Sequence, residues 1–98
     1  MDNAELTRYL VALNSDDPFG HLVRLIIELK KAGGTEAQAR EYLHEVDKRS
    51  GAYDADDGRH ESILDVLDCV GGWCSQNNHI FARDFDEKRF YRKLPPVT

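Results

Sequence analysis

Between Asp17-Pro18 and Gly33-Gly34 runs a stretch whose apolar residues occupy more than one face of any helix it forms. At roughly 3.6 residues per turn, Phe19, Leu22, Val23, Leu25, Ile26, Ile27 and Leu29 cannot all turn towards one neighbour, so the segment has to be surrounded. Its limits are local. Asp17 can cap the first turn with Pro18 at the first helical position, Lys30 and Lys31 suit the negative end of the dipole, and Gly33-Gly34 supplies a left-handed stop. A helix from about Pro18 to Lys31 is therefore the expected centre of the molecule.

The flanking sequence supplies helices to cover it. From about Ala4 to Asn14, Leu6, Tyr9, Leu10 and Leu13 fall at i, i+3, i+4 and i+7, with Asp2 or Asn3 as cap. Thr35-x-x-Gln38 forms a capping box for a third helix, where Ala39, Tyr42, Leu43 and Val46 repeat the stripe before Lys48, Arg49 and Gly51 close it. Residues 51–58, Gly-Ala-Tyr-Asp-Ala-Asp-Asp-Gly, have no apolar period and read as an acidic loop. A fourth helix, about Arg59 to Val70, is expected to bury Ile63, Leu64, Leu67 and Val70. Gly71-Gly72 breaks it, and Trp73-Cys74 is expected to fold back onto the core. Further on, Asp84 can cap a short helix containing Phe85 and Phe90, although His79-Ile80-Phe81 suits an extended segment equally well. Pro95-Pro96 ends regular structure. The fold class is all-α: a compact four- or five-helix domain over residues 1–94, with a tail at 95–98.

Composition narrows the functions. Ninety-eight residues with 41% apolar and 32% charged content make one globular domain with one modest core. Thirteen Lys plus Arg against eighteen Asp plus Glu leave a net charge of −5, which repels nucleic acid and anionic membrane at long range. No apolar run approaches the roughly 20 residues of a membrane span. Met1-Asp2-Asn3-Ala4-Glu5 is acidic where a signal peptide carries positive charge, and Cys69 and Cys74 are too few for a disulfide scaffold. A cytoplasmic protein with reduced thiols is expected.

Chemistry finds little support. Asp54, Asp56, Gly58 and Asp65 imitate positions one, three, five and twelve of a calcium loop, but the required glycine at position six is Arg59 and the final bidentate Glu is an Asp. Cys69 and Cys74, with His60 and His79, lack the tight ligand pairs of a closed zinc site. A Cys74 nucleophile served by His79 or His60 is the best enzyme reading, yet sequence order shows neither a base nor its orienting group. There is no Gly-rich phosphate loop, paired zinc-protease histidine motif or nucleophile elbow. No enzyme activity, cofactor or metal is expected. Arg83, Lys88, Arg89, Arg92 and Lys93 are interleaved with Phe81, Phe85, Phe90 and Tyr91, a mixture that can stack on single-stranded nucleic acid. In a short segment of an anionic chain the preferred reading is that the aromatics pack on the bundle while the basic groups stay solvated or meet the acidic helix, and no nucleic-acid or membrane partner is expected.

Charge distribution is the most informative feature. Residues 54–68 carry six carboxylates against Arg59 alone, a balance of −5 that equals the net charge of the whole chain. If the fourth helix starts early enough, Asp57, Glu61, Asp65 and Asp68 share an arc of about 80°. Such a stripe is either a solvated face or a surface for a basic partner, standing in for a phosphate backbone. The candidate partner-binding residues are Tyr53, Asp54, Asp56, Asp57, Glu61, Asp65 and Asp68, with Tyr53 as the aromatic anchor.

The run Ile63-Leu64-Asp65-Val66-Leu67-Asp68, followed by Gly71-Gly72-Trp73-Cys74-Ser75, is the most distinctive stretch. In size, charge and helical pattern the chain resembles the small acidic immunity proteins of bacterial contact-dependent and polymorphic toxin systems. The resemblance implies a cytoplasmic inhibitor that binds a cognate toxin domain, often a nuclease, and blocks its active site or substrate groove. It carries no residue roles, because those proteins share no common motif. A phage-encoded inhibitor of a nucleic-acid-guided defence complex, or a small regulatory adaptor domain, would have the same character.

Overall fold

The computed structural model describes residues 2–71, 79–83, 85–88 and 90. Among them are five helices and no strand: α1 (Asn3–Leu13), α2 (Pro18–Lys31), α3 (Glu36–Ser50), α4 (Ala52–Ala55) and α5 (Arg59–Gly71). The molecule is all-α, as its apolar periodicity predicts.

The helix ends follow local chemistry. Asp2 accepts the Glu5 N–H at 2.8 Å, and Asp17 accepts the Gly20 N–H at 3.2 Å ahead of α2. Thr35 and Gln38 satisfy each other's backbone N–H groups at 2.9 and 3.1 Å, completing the expected capping box. After α2 the Gly33 N–H donates to the Lys30 carbonyl at 3.0 Å, and the Gly34 N–H reaches back to Leu29 at 2.8 Å. Gly33 has a φ of 94°, so these paired bonds form a Schellman ending that needs glycine at its left-handed position.

Helix α2 occupies the centre and packs against α1, α3 and α5, while α3 also packs against α5. It buries Leu22, Val23, Ile26 and Ile27 among Tyr9 and Leu13 of α1, Leu43 and Val46 of α3, and Ile63, Val66 and Val70 of α5. Tyr9 meets Tyr42 edge-on with ring centroids 5.9 Å apart. Beyond α5, Ile80 and Phe90 are buried and Phe81 and Phe85 are half-buried against the same core. Ile80 is held by both backbone groups: its N–H donates to the Cys69 carbonyl at 3.0 Å, and its carbonyl accepts from Lys30 Nζ at 2.6 Å. The first of these bonds satisfies an end carbonyl of α5 that has no partner within the helix. Lys30 Nζ also stands 4.7 Å from the Phe85 ring centroid, and Lys31 pairs with Glu87 at 2.7 Å. Phe81, Phe85 and Phe90 therefore pack onto the bundle, while Tyr91 lies outside the described residues.

Two expectations need correction. Residues 52–55 form a helical turn where a loop was expected, because Ala52 is fully buried and left-handed residues at Gly51 and Asp56 bend the chain at either end. On α5 the buried set is Ile63, Val66, Cys69 and Val70, whereas Leu67 is only half-buried and Leu64 is 44% exposed. The buried face is rotated by about 80° from the expected one. The cause is charge: Glu61, Asp65 and Asp68 must face water, and the opposite side of the helix carries Ile63, Val66 and Val70. The expected positions of Trp73 and Cys74, the Asp84 cap and the domain boundary at residue 94 lie outside the described residues.

Candidate docking face on α4 and α5

Three left-handed residues carry the chain from α3 into α5: Gly51 at φ 68°, Asp56 at φ 50° and Gly58 at φ 92°. Between the first two, α4 closes as one turn, with the Ala55 N–H on the Gly51 carbonyl at 3.0 Å. Ser50 Oγ accepts the Ala52 N–H and donates to the Asp47 carbonyl, both at 3.2 Å, fastening the turn to the end of α3. Buried Ala52 forms its inner side, so Tyr53 is turned out and left 71% exposed. Asp54 and Asp56 are exposed beside it.

Helix α5 begins at Arg59, so Asp57 lies before the helix and not on its stripe. Its carboxylate accepts from the Arg59 backbone N–H at 3.2 Å and from the guanidinium at 2.9 Å. Those bonds, the guanidinium's foremost, hold the Asp57 carboxyl below the usual carboxylate range. Arg59 also donates to Asn14 Oδ1 at 2.7 Å, tying the start of α5 to the end of α1. Asp57 is thus the one candidate carboxylate already answered by a positive charge.

The others are not. Asp54, Asp56, Glu61, Asp65 and Asp68 make no hydrogen bond or ion pair with any described residue. On α1 to α3 several charges are paired, Arg8 with Glu5 and Glu28, Arg40 with Glu36, and Arg49 with Glu45, while Asp16, Glu41 and Lys48 make no ion pair with a described residue. On α5, Leu64, Asp68, Glu61 and Asp65 share an outward arc of about 100°. Leu64 forms one edge of that arc, an exposed leucine beside Asp68 and Glu61. Sequence periodicity assigned it to the core. The usable signal was its helical position beside Glu61 and Asp68, opposite Val66.

Two of the four histidines, His60 and His79, contact carboxylates of α3. His60 Nδ1 lies 3.0 Å from Asp47 Oδ1, and His79 Nε2 lies 3.2 Å from Glu36 Oε1. The His60 ring also meets Tyr53 edge-on, with centroids 4.9 Å apart and planes at 85°. Cys69 is buried at the end of α5, and Cys74 lies outside the described residues. Among the described residues no group of three or more His, Cys, Asp or Glu side chains converges on a point that could hold a metal ion. No helix among them is long and apolar enough to cross a membrane.

The face thus combines five carboxylates that have no partner among the described residues with two large side chains, Tyr53 and Leu64, that the core does not use. Comparison with protein-family models, with curated proteins and with solved structures finds no match to the chain.

Proposed function

We propose that this chain is a cytoplasmic protein-binding inhibitor, an immunity protein that neutralises a cognate toxin domain. The toxin is a nuclease on this reading, and the α4–α5 face enters the groove that otherwise receives a phosphate backbone. Asp54, Asp56, Glu61, Asp65 and Asp68 meet Lys and Arg of that groove, and Tyr53 and Leu64 provide the apolar contacts. Asp57 contributes at the rim, where its charge is shared with Arg59.

The observation that carries this reading is the company Leu64 and Tyr53 keep. Single exposed apolar side chains are ordinary on surfaces, as Val11 is on α1, but Tyr53 and Leu64 both border the acidic residues, and full burial of one is worth about 1.5–3 kcal/mol. Carboxylates one turn apart repel by a few tenths of a kcal/mol each, a cost that basic groups on a partner reverse. Both features oppose the free molecule slightly and favour an assembled one.

The test is capture of the partner from the native host at low salt, with identification by mass spectrometry. A single stoichiometric protein bearing a basic nuclease domain, released by Glu61→Lys with Asp65→Lys, is the expected result. The reading fails if the double variant keeps wild-type affinity at low salt, or if only nucleic acid survives washing.

A further inference from the structure

Tyr53 is the most exposed large side chain of the face, yet it stands on a single helical turn, and so short a helix has little stiffness of its own. Its support comes from elsewhere. The His60 ring lies against it edge-on, and His60 in turn is tied to Asp47, near the end of α3. The His60 and Asp47 side chains are only 23% and 20% exposed, so a largely withdrawn pair backs an outward-facing ring.

A carboxylate can only accept, so the hydrogen of this contact lies on His60 Nδ1. That bond selects the Nδ1–H tautomer and fixes the plane of the imidazole. The plane of the imidazole, in turn, decides where an edge-on neighbour can sit. We infer that Asp47 is a positioning residue for the docking face: acting through the His60 ring, it sets the orientation of Tyr53 from α3. An anchor held in place before binding loses less side-chain freedom when a partner arrives. The purpose of the linkage rests on the docking reading, but the linkage itself is visible in the isolated protein.

Nuclear magnetic resonance of the full, isotope-labelled chain tests it. The wild type is expected to show close contacts between the Tyr53 and His60 ring protons, and imidazole nitrogen shifts of the neutral ring that place its proton on Nδ1. Asp47→Ala is expected to lose the ring contact while the amide signals of buried Leu43 and Val66 stay in place. Asp47→Asn keeps an oxygen acceptor and should restore the contact, which separates positioning from a loss of charge. Asp47 has no such role if Asp47→Ala retains the wild-type ring contact. Should that variant not fold, an Nε2–H tautomer in the wild type overturns the inference by itself.

Binding gives a second reading. Against a captured partner, Asp47→Ala and Tyr53→Ala should each weaken affinity about tenfold, and the pair no more than Tyr53→Ala alone. Fully additive losses would mean that Asp47 does not act through Tyr53. Charge reversal at Glu61 and Asp65 leaves the ring contact untouched, so a failed docking reading and a failed Asp47 linkage give different results.

Discussion

Ile63 and Leu64 are adjacent in the chain and opposite in environment, one fully buried among α2 and α3 and the other open among carboxylates. Ile63→Ala should cost about 2–5 kcal/mol, since the lost contacts leave a cavity that the surrounding helices fill only in part. Leu64→Ala should cost less than about 1 kcal/mol in denaturant unfolding while weakening partner binding. Equal losses of stability would mean that α5 presents a different face. Tyr9 provides a pH signature. Burial, followed by the nearby Glu5 charge, pushes its hydroxyl well above the ordinary value of about 10, so the folded state resists its ionisation. A pKa raised on folding gives stability that is complete below pH of about 10 and is lost as the pH climbs towards the folded value. Tyr9→Phe should therefore flatten the alkaline fall in the unfolding midpoint. An unchanged slope between the two proteins would remove Tyr9 as its source.

Among the elements, the end of α2 is the most sharply constrained. A Cβ added to Gly34 would stand 2.6 Å from the Leu29 side chain and 2.8 Å from its carbonyl oxygen, the same oxygen that accepts the Gly34 N–H. Leu29 can shift its side chain but not its carbonyl without breaking the Schellman bonds. Gly34→Ala should accordingly cost about 1–3 kcal/mol by thermal or denaturant unfolding. A neutral result would show that the turn has slack. Ends of this kind were legible in the sequence because their causes are local: Asp17-Pro18, Thr35 with Gln38, and Gly33-Gly34 each act within a few residues. The α4 turn was not legible, since its reason is one alanine finding a place in the core. The inward side of α5 was legible only through charge, because the side opposite Glu61, Asp65 and Asp68 is the one that carries Ile63, Val66 and Val70. Of the docking face, the acidic residues could be read from charge spacing. Apolar spacing alone does not separate Leu64 from the core stripe, although its position beside Glu61 and Asp68 does, and the link from Asp47 through His60 to Tyr53 exists only once α3, α4 and α5 are assembled.

At the scale of the molecule, the described residues distribute charge unevenly: ion pairs cancel part of it on α1, α2 and α3, whereas residues 54–68 set six carboxylates against Arg59 alone in a chain of net charge −5. Association with a basic partner should be fast at low salt and slow steeply as ionic strength rises past about 0.1 M, where the Debye length is about 10 Å. Stopped-flow mixing over a salt series measures this directly, and a salt-independent rate would argue for a contact driven by Tyr53 and Leu64 alone. The double grip on Ile80 has a consequence in time. Ribosomes deliver a chain from its first residue, and here the segment that joins α2 to the end of α5 is made after every helix it joins. A nascent polypeptide paused just past Gly71 still lacks Ile80 and Phe90, so its core stands open. The last pieces of the core are thus supplied only once synthesis has passed Phe90, and a chain cut between α5 and Phe90 should unfold at lower denaturant than the full one.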